Sequence, residues 1–222
     1  MAGGAGGLGS ALTAWLVEEG ARVVVSYRQN RERAERWRES AVAVQADLAS
    51  AADRARLFEA APALYVLVVF AGDPVRDRDM GRAHEANYLG PILLAREAAE
   101  RMKGSNTAGA IVLLSTMQAN ALFPGSTVYA AQKAALQHAA RILAKELRGP
   151  SGIRVNVVSP GVMAAGMAET SIASGKYDRY IQEGVIGRFG RAEDVAGAVR
   201  FLLEPDNYVT GQVLCVDGGM TL

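Results

Sequence analysis

The sequence has a single cysteine, two histidines and almost no net charge. Cys215 cannot form an intramolecular disulfide, and with only His84 and His138 beside it the chain offers few ligands for a zinc site. Lysine and arginine total 24 against 23 aspartates and glutamates, a net charge of +1. That balance argues against a protein that neutralises nucleic-acid phosphates or anionic membranes. We therefore expect no metal, no nucleic-acid partner and no membrane partner.

Long hydrophobic runs are also lacking. The longest, residues 63–72, is far shorter than the roughly 20 residues that span a bilayer. The N-terminus shows no basic segment followed by an apolar stretch, which a signal peptide would have. A cytoplasmic location is therefore expected. With 222 residues and no linker-like composition, the chain is expected to form one domain over residues 1–222.

Short β-branched runs alternate with longer amphipathic stretches along the whole chain. The predicted strands are Ala21–Tyr27, Ala41–Ala46, Leu64–Phe70, Ala110–Leu114, Ile153–Val158 and Gln212–Val216. The predicted helices begin with one that places Leu8, Leu12, Trp15 and Leu16 on one face, followed by Arg31–Glu39, Ala52–Ala61, Gly81–Met102, Thr127–Arg148 and Glu193–Leu203. The strands are almost continuously apolar, as expected of strands covered on both faces. This alternation predicts an α/β fold with a Rossmann-like, doubly wound parallel sheet.

Glycine is in excess, with 24 residues, and six of them lie among the first twenty positions. Residues 3–9 read Gly-Gly-Ala-Gly-Gly-Leu-Gly and lead directly into the first predicted helix. The backbone N–H groups of such a loop can close on a pyrophosphate at the helix N-terminus. A flexible glycine-rich tail is the alternative. A dinucleotide loop should also follow a strand, and only Met1 and Ala2 precede this one.

The end of the next predicted strand bears on which dinucleotide would bind. An acid there suits the ribose 2′-hydroxyl of NAD, whereas an arginine suits the 2′-phosphate of NADP. The segment reads Ser26-Tyr27-Arg28, without an acid, which favours NADP(H) unless Arg28 is merely a solvated loop residue. Asp47 and Leu48 end the following strand, where the carboxylate could meet the adenine or cap the helix that follows.

Tyr129 and Lys133 are spaced i, i+4, so they share one face of a predicted helix. A free phenol has a pKa of about 10, and a nearby ammonium favours the phenolate, which prepares the tyrosine for acid–base work. An isolated pair of this kind would more often be an incidental surface feature.

At these motifs the chain resembles the short-chain dehydrogenase/reductase family, most closely its bacterial 3-oxoacyl-acyl-carrier-protein-reductase-like members. The resemblance runs from Gly3 to Gly219. The matching positions are Gly3, Gly7 and Gly9 of the glycine loop, Ala71-Gly72 after the third predicted strand, Asn87, Tyr129 and Lys133, Pro160-Gly161, Arg188 to Asp194, and the ending Val216 to Gly219.

The resemblance implies an oxidoreductase that interconverts a ketone, such as a 3-oxoacyl group, and a secondary alcohol with NADP(H). It implies that Asn87, Thr116, Tyr129 and Lys133 are catalytic. It implies a cofactor site built from Gly3, Gly7, Leu8, Gly9, Arg28, Asp47, Leu48, Ala71, Gly72, Tyr129, Lys133, Pro160, Gly161 and Val162. A substrate lid over about residues 163–187 and a homotetramer are implied as well.

The chain also departs from the family pattern. Thr116 stands where the family has its catalytic serine, thirteen residues before the tyrosine. Strand alternation should turn the neighbouring Ser115 to the other side, so Thr116 is the expected hydroxyl donor. Phe70 replaces an asparagine, and Ala165 stands where a threonine is common. A nucleotide-binding or scaffold homologue with weak catalysis therefore remains the alternative function.

The family's first strand, which should precede the glycine loop, is missing from the sequence. In the expected order that strand is central, so its absence should leave two neighbouring strands with unpaired edges. We expect either a chain that is incomplete at its N-terminus or a rearranged sheet.

Overall fold

Parallel strands run through the centre of the computed structural model, which describes residues 1–73 and 79–222. Its strands are β1 (Val24–Tyr27), β2 (Val42–Gln45), β3 (Val66–Val69), β4 (Ala110–Leu114), β5 (Arg154–Pro160) and β6 (Val213–Val216). β1 pairs with β2, and β3, β4, β5 and β6 form a second run in that order, with every pairing parallel. The predicted α/β fold with a doubly wound parallel sheet is confirmed.

Helices connect the strands. They are α1 (Gly7–Glu18), α2 (Arg31–Glu35), α3 (Ala51–Ala60), α4 (Met80–His84), α5 (Gly90–Gly104), α6 (Thr127–Glu146), α7 (Glu169–Ala173), α8 (Asp178–Gln182) and α9 (Ala192–Leu203). Short 3₁₀ turns occupy Met117–Ala119 and Gly166–Ala168. Within the described ranges, no helix combines the length and apolar character needed to cross a membrane.

Met1 and Ala2 lie in the gap between β1 and β3. The Ala2 N–H donates to the Val68 carbonyl at 2.9 Å, and the Phe70 N–H donates to the Ala2 carbonyl at 2.8 Å. On the other side, the Ser26 N–H donates to the Met1 carbonyl at 3.0 Å. This two-residue segment therefore occupies the central place in the strand order, and β1 and β3 do not pair directly with each other. The sheet is not rearranged.

The two faces of β4 pack against different helices. Ile111 and Leu113 belong to a core shared with α3, α5 and α6, whereas Val112 and Leu114 belong to a core shared with α1 and α9. All five β4 residues are buried, as the continuous apolar run predicts. The alternation continues into residues 115 and 116, just beyond the strand, and that continuation positions the candidate catalytic hydroxyls.

Three sequence predictions need correction. β2 and β6 are largely exposed rather than covered on both faces, because each is the edge strand of its run. The predicted Gly81–Met102 helix is interrupted by a π-helical turn over Glu85–Leu89. The predicted Arg31–Glu39 helix ends at Glu35, because the chain turns there toward β2.

Candidate active site

The glycine loop is a backbone cradle into which side chains would not fit. A Cβ added to Gly3 would lie 2.9 Å from the Ala71 nitrogen, and Gly3 has a φ of +77°. A Cβ on Gly7 would lie 2.6 Å from the Gly166 nitrogen, and one on Gly9 would lie 2.6 Å from the Gly3 carbonyl oxygen. The three glycines that match the family pattern are therefore required by close backbone approaches. The loop is built into the fold and is not a loose tail.

The Gly9 contact gives a test of this packing. Gly9→Ala is expected to lower the free energy of unfolding by about 1–3 kcal/mol, because its methyl group would overlap backbone that cannot move aside easily. Gly104→Ala, in α5, is the matched control: a Cβ there meets no atom within 4 Å, so it should be neutral or stabilising by up to about 1 kcal/mol. Urea unfolding of both variants measures the difference. Equal stability of the two variants would refute the packing argument.

A cavity of about 430 Å³ lies beside the glycine loop, at the carboxyl ends of β1, β2 and β3. Its walls include nine residues predicted to bind the cofactor, namely Gly3, Gly7, Leu8, Gly9, Arg28, Asp47, Leu48, Ala71 and Gly72. This is where a doubly wound fold binds a dinucleotide. The loop, the helix N-terminus behind it and the cavity together fit a nicotinamide dinucleotide.

The predicted segment Pro160, Gly161 and Val162 does not line this cavity. The Gly161 N–H donates to the Val216 carbonyl at 2.9 Å, and a Cβ on Gly161 would lie 2.7 Å from the Asp217 Cα. Val162 is buried in the core beneath the predicted lid. These residues link β5 to the C-terminal segment, and their contact with a cofactor stays a prediction.

Two ion pairs close the end of the cavity formed by β1 and β2. Arg28 contacts Asp73 at 2.8 Å, and Arg82 of α4 contacts Asp47 at 2.9 Å. The second Asp47 carboxylate oxygen accepts from the Ala49 N–H at 3.1 Å, whereas the helix that follows is capped by Ser50. Asp47 is therefore not the helix cap that the sequence left open as an alternative.

Asn87 lies in the π-helical turn and is fully buried. Its Oδ1 accepts from the Asp73 N–H at 2.9 Å, and its Nδ2 donates to the Asp73 carbonyl at 2.9 Å. The amide therefore fixes the backbone that follows Gly72. A π-helical turn inside an α-helix often marks a functional position, and here it re-aims this side chain.

Asn87 and Lys133 converge on Gly72. A Cβ added to Gly72 would lie 3.3 Å from the Asn87 Oδ1 and 3.4 Å from the Lys133 Nζ. Lys133 is buried, and its Nζ donates to the Leu114 carbonyl at 2.8 Å. The amide of Asn87, the ammonium of Lys133 and the cavity-lining backbone of Gly72 therefore lie close together, although they come from three distant parts of the sequence.

Thr116 and Ser115 point to opposite sides, as strand alternation predicts. The Ser115 hydroxyl donates to the Lys133 carbonyl and accepts from the Gln137 Nε2 at 2.9 Å, so it faces α6. The Thr116 hydroxyl contacts the half-buried Tyr129 hydroxyl. The structure therefore brings Thr116, Tyr129, Lys133 and Asn87 into one region, and their catalytic roles stay predictions.

The pKa values differ from the expected activation of Tyr129. Burial raises the pKa of Tyr129 to about 12, and the contact with Thr116 offsets only part of that rise. Burial also lowers the pKa of Lys133 to about 8. The expectation that Lys133 lowers the tyrosine pKa is not met, because loss of hydration is the largest influence on the phenol.

The predicted lid region packs on its own core. Ile172, Tyr177, Tyr180 and Ile181 contact a buried cluster formed by Met117, Val162, Ile186 and Met220. These apolar residues of the predicted lid are therefore core residues, and they do not by themselves indicate an apolar substrate. Gly166 and Met167, in contrast, reach the glycine loop and line the cavity.

Sequence reasoning missed Arg82, Asp73 and Gly166. Arg82 carried a weak signal, since it lies five residues before Asn87 and thus one to two turns away on the same helical stretch. Asp73 directly follows the Ala71-Gly72 motif. Nothing in the sequence indicated that Gly166 would contact Gly7 across a gap of more than 150 residues.

The described residues contain no candidate metal site. Across residues 1–73 and 79–222, no group of three or more histidine, cysteine, aspartate or glutamate side chains could hold a metal ion.

Known proteins resemble this chain over nearly its whole length. A family model described as enoyl-(acyl carrier protein) reductase matches residues 3–221. An uncharacterized oxidoreductase of Methylorubrum extorquens is 35% identical over 99% of this chain and 96% of its own length. An NADPH-dependent aldehyde reductase-like chloroplastic protein of Arabidopsis thaliana is 34% identical over 99% and 92%. A 3-oxoacyl-acyl-carrier-protein reductase of Rickettsia felis is 30% identical over 100% and 95%.

Solved structures give the same result. A short-chain type dehydrogenase/reductase from Mycobacterium ulcerans superposes with a TM-score of 0.89 at 26% identity, covering 99% of this chain and 88% of that one. ElxO with NADP bound superposes with a TM-score of 0.87 at 25% identity, covering 99% and 96%. The cavity geometry, the family model and these relatives agree: the chain belongs to the short-chain dehydrogenase/reductase family of oxidoreductases, which act on CH–OH and C=O groups.

Proposed function

We propose that the protein is an NADP(H)-dependent reductase of ketones, with 3-oxoacyl compounds as one candidate class, or runs the reverse oxidation. The observation that carries the proposal is the convergence of Asn87 and Lys133 on Gly72, at the edge of a cavity walled by the glycine loop. Relatives described as an NADPH-dependent aldehyde reductase-like protein and as a 3-oxoacyl-acyl-carrier-protein reductase support a carbonyl substrate.

The chain's own groups would hold the cofactor as follows. Gly3, Gly7 and Gly9 line the cavity at the N-terminus of α1, where the helix dipole would favour the negative charge of a pyrophosphate. Arg28 would contact the 2′-phosphate, and Lys133 would hold the nicotinamide ribose. A bound NADPH supplies the hydride.

The proton would come from Tyr129. With a pKa of about 12 its hydroxyl stays protonated across the neutral range, which is the form that an acid needs. Thr116, in contact with that hydroxyl, would donate a hydrogen bond to the substrate oxygen. The Lys133 ammonium would stabilise the phenolate left behind. Asn87 holds the backbone at Asp73, and it would also hold a water that relays protons from Lys133.

A direct test is titration of the protein with NADPH and NADH, followed by nicotinamide fluorescence. Binding of NADPH, followed by its oxidation with at least one ketone from a panel that also contains aldehydes and enoyl thioesters, is the expected result. Binding without turnover on any of these compounds would favour the scaffold alternative. Absence of binding of either cofactor would refute the proposal.

The lysine pKa predicts a pH dependence. For NADPH, kcat/KM reports groups of the free enzyme. Lys133, with a pKa of about 8, is an ammonium below that pH and loses its charge above it. We expect kcat/KM for NADPH to fall about tenfold per pH unit above pH 8, while Tyr129 adds no break below pH 10. A profile that stays flat from pH 6 to pH 10 would contradict the assignment.

The proposed tetramer and the proposed cytoplasmic location rest on the resemblance to the family. Tetramers built through the two longest helices and the C-terminal strand region are expected, and a cytoplasmic location is proposed. α5 and α6 are the longest of the described helices, and the edge strand β6 leaves Leu214 and Cys215 exposed. Light scattering distinguishes a tetramer from a monomer of about 23 kDa, the mass of one chain.

A further inference from the structure

Charges of alternating sign line up across one end of the cofactor cavity. Arg28 follows β1, Asp73 follows β3, Arg82 lies in α4 and Asp47 follows β2. Arg28 contacts Asp73 at 2.8 Å, and Arg82 contacts Asp47 at 2.9 Å. Both arginines line the cavity. Arg28 and Arg82, two of the three arginines that line the cavity, are therefore already engaged by carboxylates of the protein.

Asp73 is held in place rather than free to swing away. Its backbone N–H and carbonyl both bond the fully buried Asn87 amide at 2.9 Å. Its side chain is only 20% exposed, and that of Arg28 is 37% exposed. A carboxylate presented from such an anchored backbone retains its partner better than one on a mobile loop, because no backbone entropy is lost when the contact forms.

We propose that Asp73 sets the protein's selectivity between NADPH and NADH by competing with the 2′-phosphate for Arg28. This inference rests on the proposed function, since it requires that a nicotinamide dinucleotide occupies the cavity. A phosphate monoester carries between one and two negative charges at neutral pH, so it competes with the Asp73 carboxylate for the Arg28 guanidinium. The 2′-hydroxyl of NADH is neutral and does not compete with the Asp73 carboxylate for Arg28. Asp73 therefore weakens NADPH binding selectively.

Arg82 would stabilise Asp73 when the 2′-phosphate replaces its carboxylate at Arg28. The pKa of Arg82 is raised: burial alone would lower it, but the hydrogen bond with Asp47 and the charges of Asp47, Asp73 and Glu85 outweigh that effect. Asp73 thus already lies within the electrostatic reach of Arg82. When Arg28 turns to the phosphate, the released carboxylate keeps a cation nearby and is not left unpaired, so the penalty on NADPH is modest.

The test compares Asp73→Asn with the wild type by titration of NADPH and NADH. Removing one member of a partly exposed ion pair should lower the Kd for NADPH about twofold to fivefold. The Kd for NADH should change by less than about 1.5-fold, so the ratio of the two constants shifts. Glu19→Gln, which removes the same charge at the remote pair with Arg200, is the matched control and should leave both constants unchanged.

A double-mutant cycle with Arg28→Ala completes the test. The gain in NADPH affinity from Asp73→Asn should vanish when Arg28 is absent, because the carboxylate and the 2′-phosphate then have no shared guanidinium to compete for. An unchanged NADPH/NADH ratio in Asp73→Asn, an equal gain for both cofactors, or a gain that persists without Arg28 would each overturn the inference. If Asp73→Asn does not fold, Asp73→Ser replaces it in the same cycle. A wild-type protein that binds neither cofactor would refute the proposed function itself, which is a distinguishable result.

Discussion

Replacing Tyr129 with phenylalanine is expected to lower the turnover of ketone reduction by about 10²- to 10⁴-fold. The substitution removes only the hydroxyl group that contacts Thr116 and leaves the ring in its half-buried place. Affinity for NADPH should remain within about twofold of wild type, because the glycine loop and Arg28 line the cavity and Tyr129 does not. Steady-state NADPH oxidation and a fluorescence titration measure the two quantities separately.

Tyr208→Phe is the matched control for this variant. Tyr208 is fully exposed, so loss of its hydroxyl should change neither turnover nor binding. Full turnover in Tyr129→Phe with any ketone that the wild type reduces would show that another group donates the proton. A parallel loss of NADPH binding would show that the hydroxyl holds the site together rather than supplying the proton.

Lys133→Met is expected to have the second largest effect, a loss of kcat/KM of at least about 100-fold. The methionine side chain has a similar length and suits a fully enclosed position, so the fold should persist. What disappears is the positive charge beside Gly72, a residue that the Asn87 Oδ1 also approaches. The alkaline decline in kcat/KM above pH 8 should disappear with it, since no titrating amine remains.

The readouts for Lys133→Met are the pH profile of its residual activity and its circular dichroism spectrum. Lys103→Met, at an exposed lysine paired with Glu100, controls for loss of a surface charge and should behave like wild type. A variant that folds, retains activity within tenfold of wild type and shows the same alkaline decline would remove Lys133 from the proposed chemistry.

The sequence is most informative where a local pattern has one structural solution. β4 begins and ends at the predicted residues, because an uninterrupted apolar run of five residues suits a buried strand and is too short for a buried helix. The opposite directions of Ser115 and Thr116 follow from the same period of two. The three family-matched glycines are likewise explained by backbone approaches that a side chain would block.

Predictions fail where the result depends on long-range contacts. The π-helical turn at Glu85–Leu89 lies inside the single uninterrupted helix that the sequence predicts over Gly81–Met102. The exposure of β2 and β6 depends on their position in the sheet, which their composition does not encode. The pairing of Arg28 with Asp73 joins residues 45 positions apart across the cavity end.

The pKa of Tyr129 also depends on long-range contacts that the sequence does not reveal. The i, i+4 spacing correctly places the two side chains on one helix, but it carries no information about burial. In the folded protein both groups lose hydration, so the pKa of the tyrosine rises and that of the lysine falls. Acid–base reasoning from spacing alone therefore misjudged the direction in which the tyrosine pKa shifts.

The central claim is reduction of a carbonyl carbon by hydride from NADPH with a proton from Tyr129. Its most direct test is incubation of the wild-type protein with a reducible ketone and NADPH deuterated at C4 in the transferred position, followed by mass spectrometry of the alcohol. We expect one deuterium on the carbinol carbon of the alcohol and none on its oxygen after exchange with water. We expect Tyr129→Phe to form much less of this labelled alcohol. NADPH oxidation without deuterium in the alcohol, or labelled alcohol formed equally by Tyr129→Phe, would contradict it.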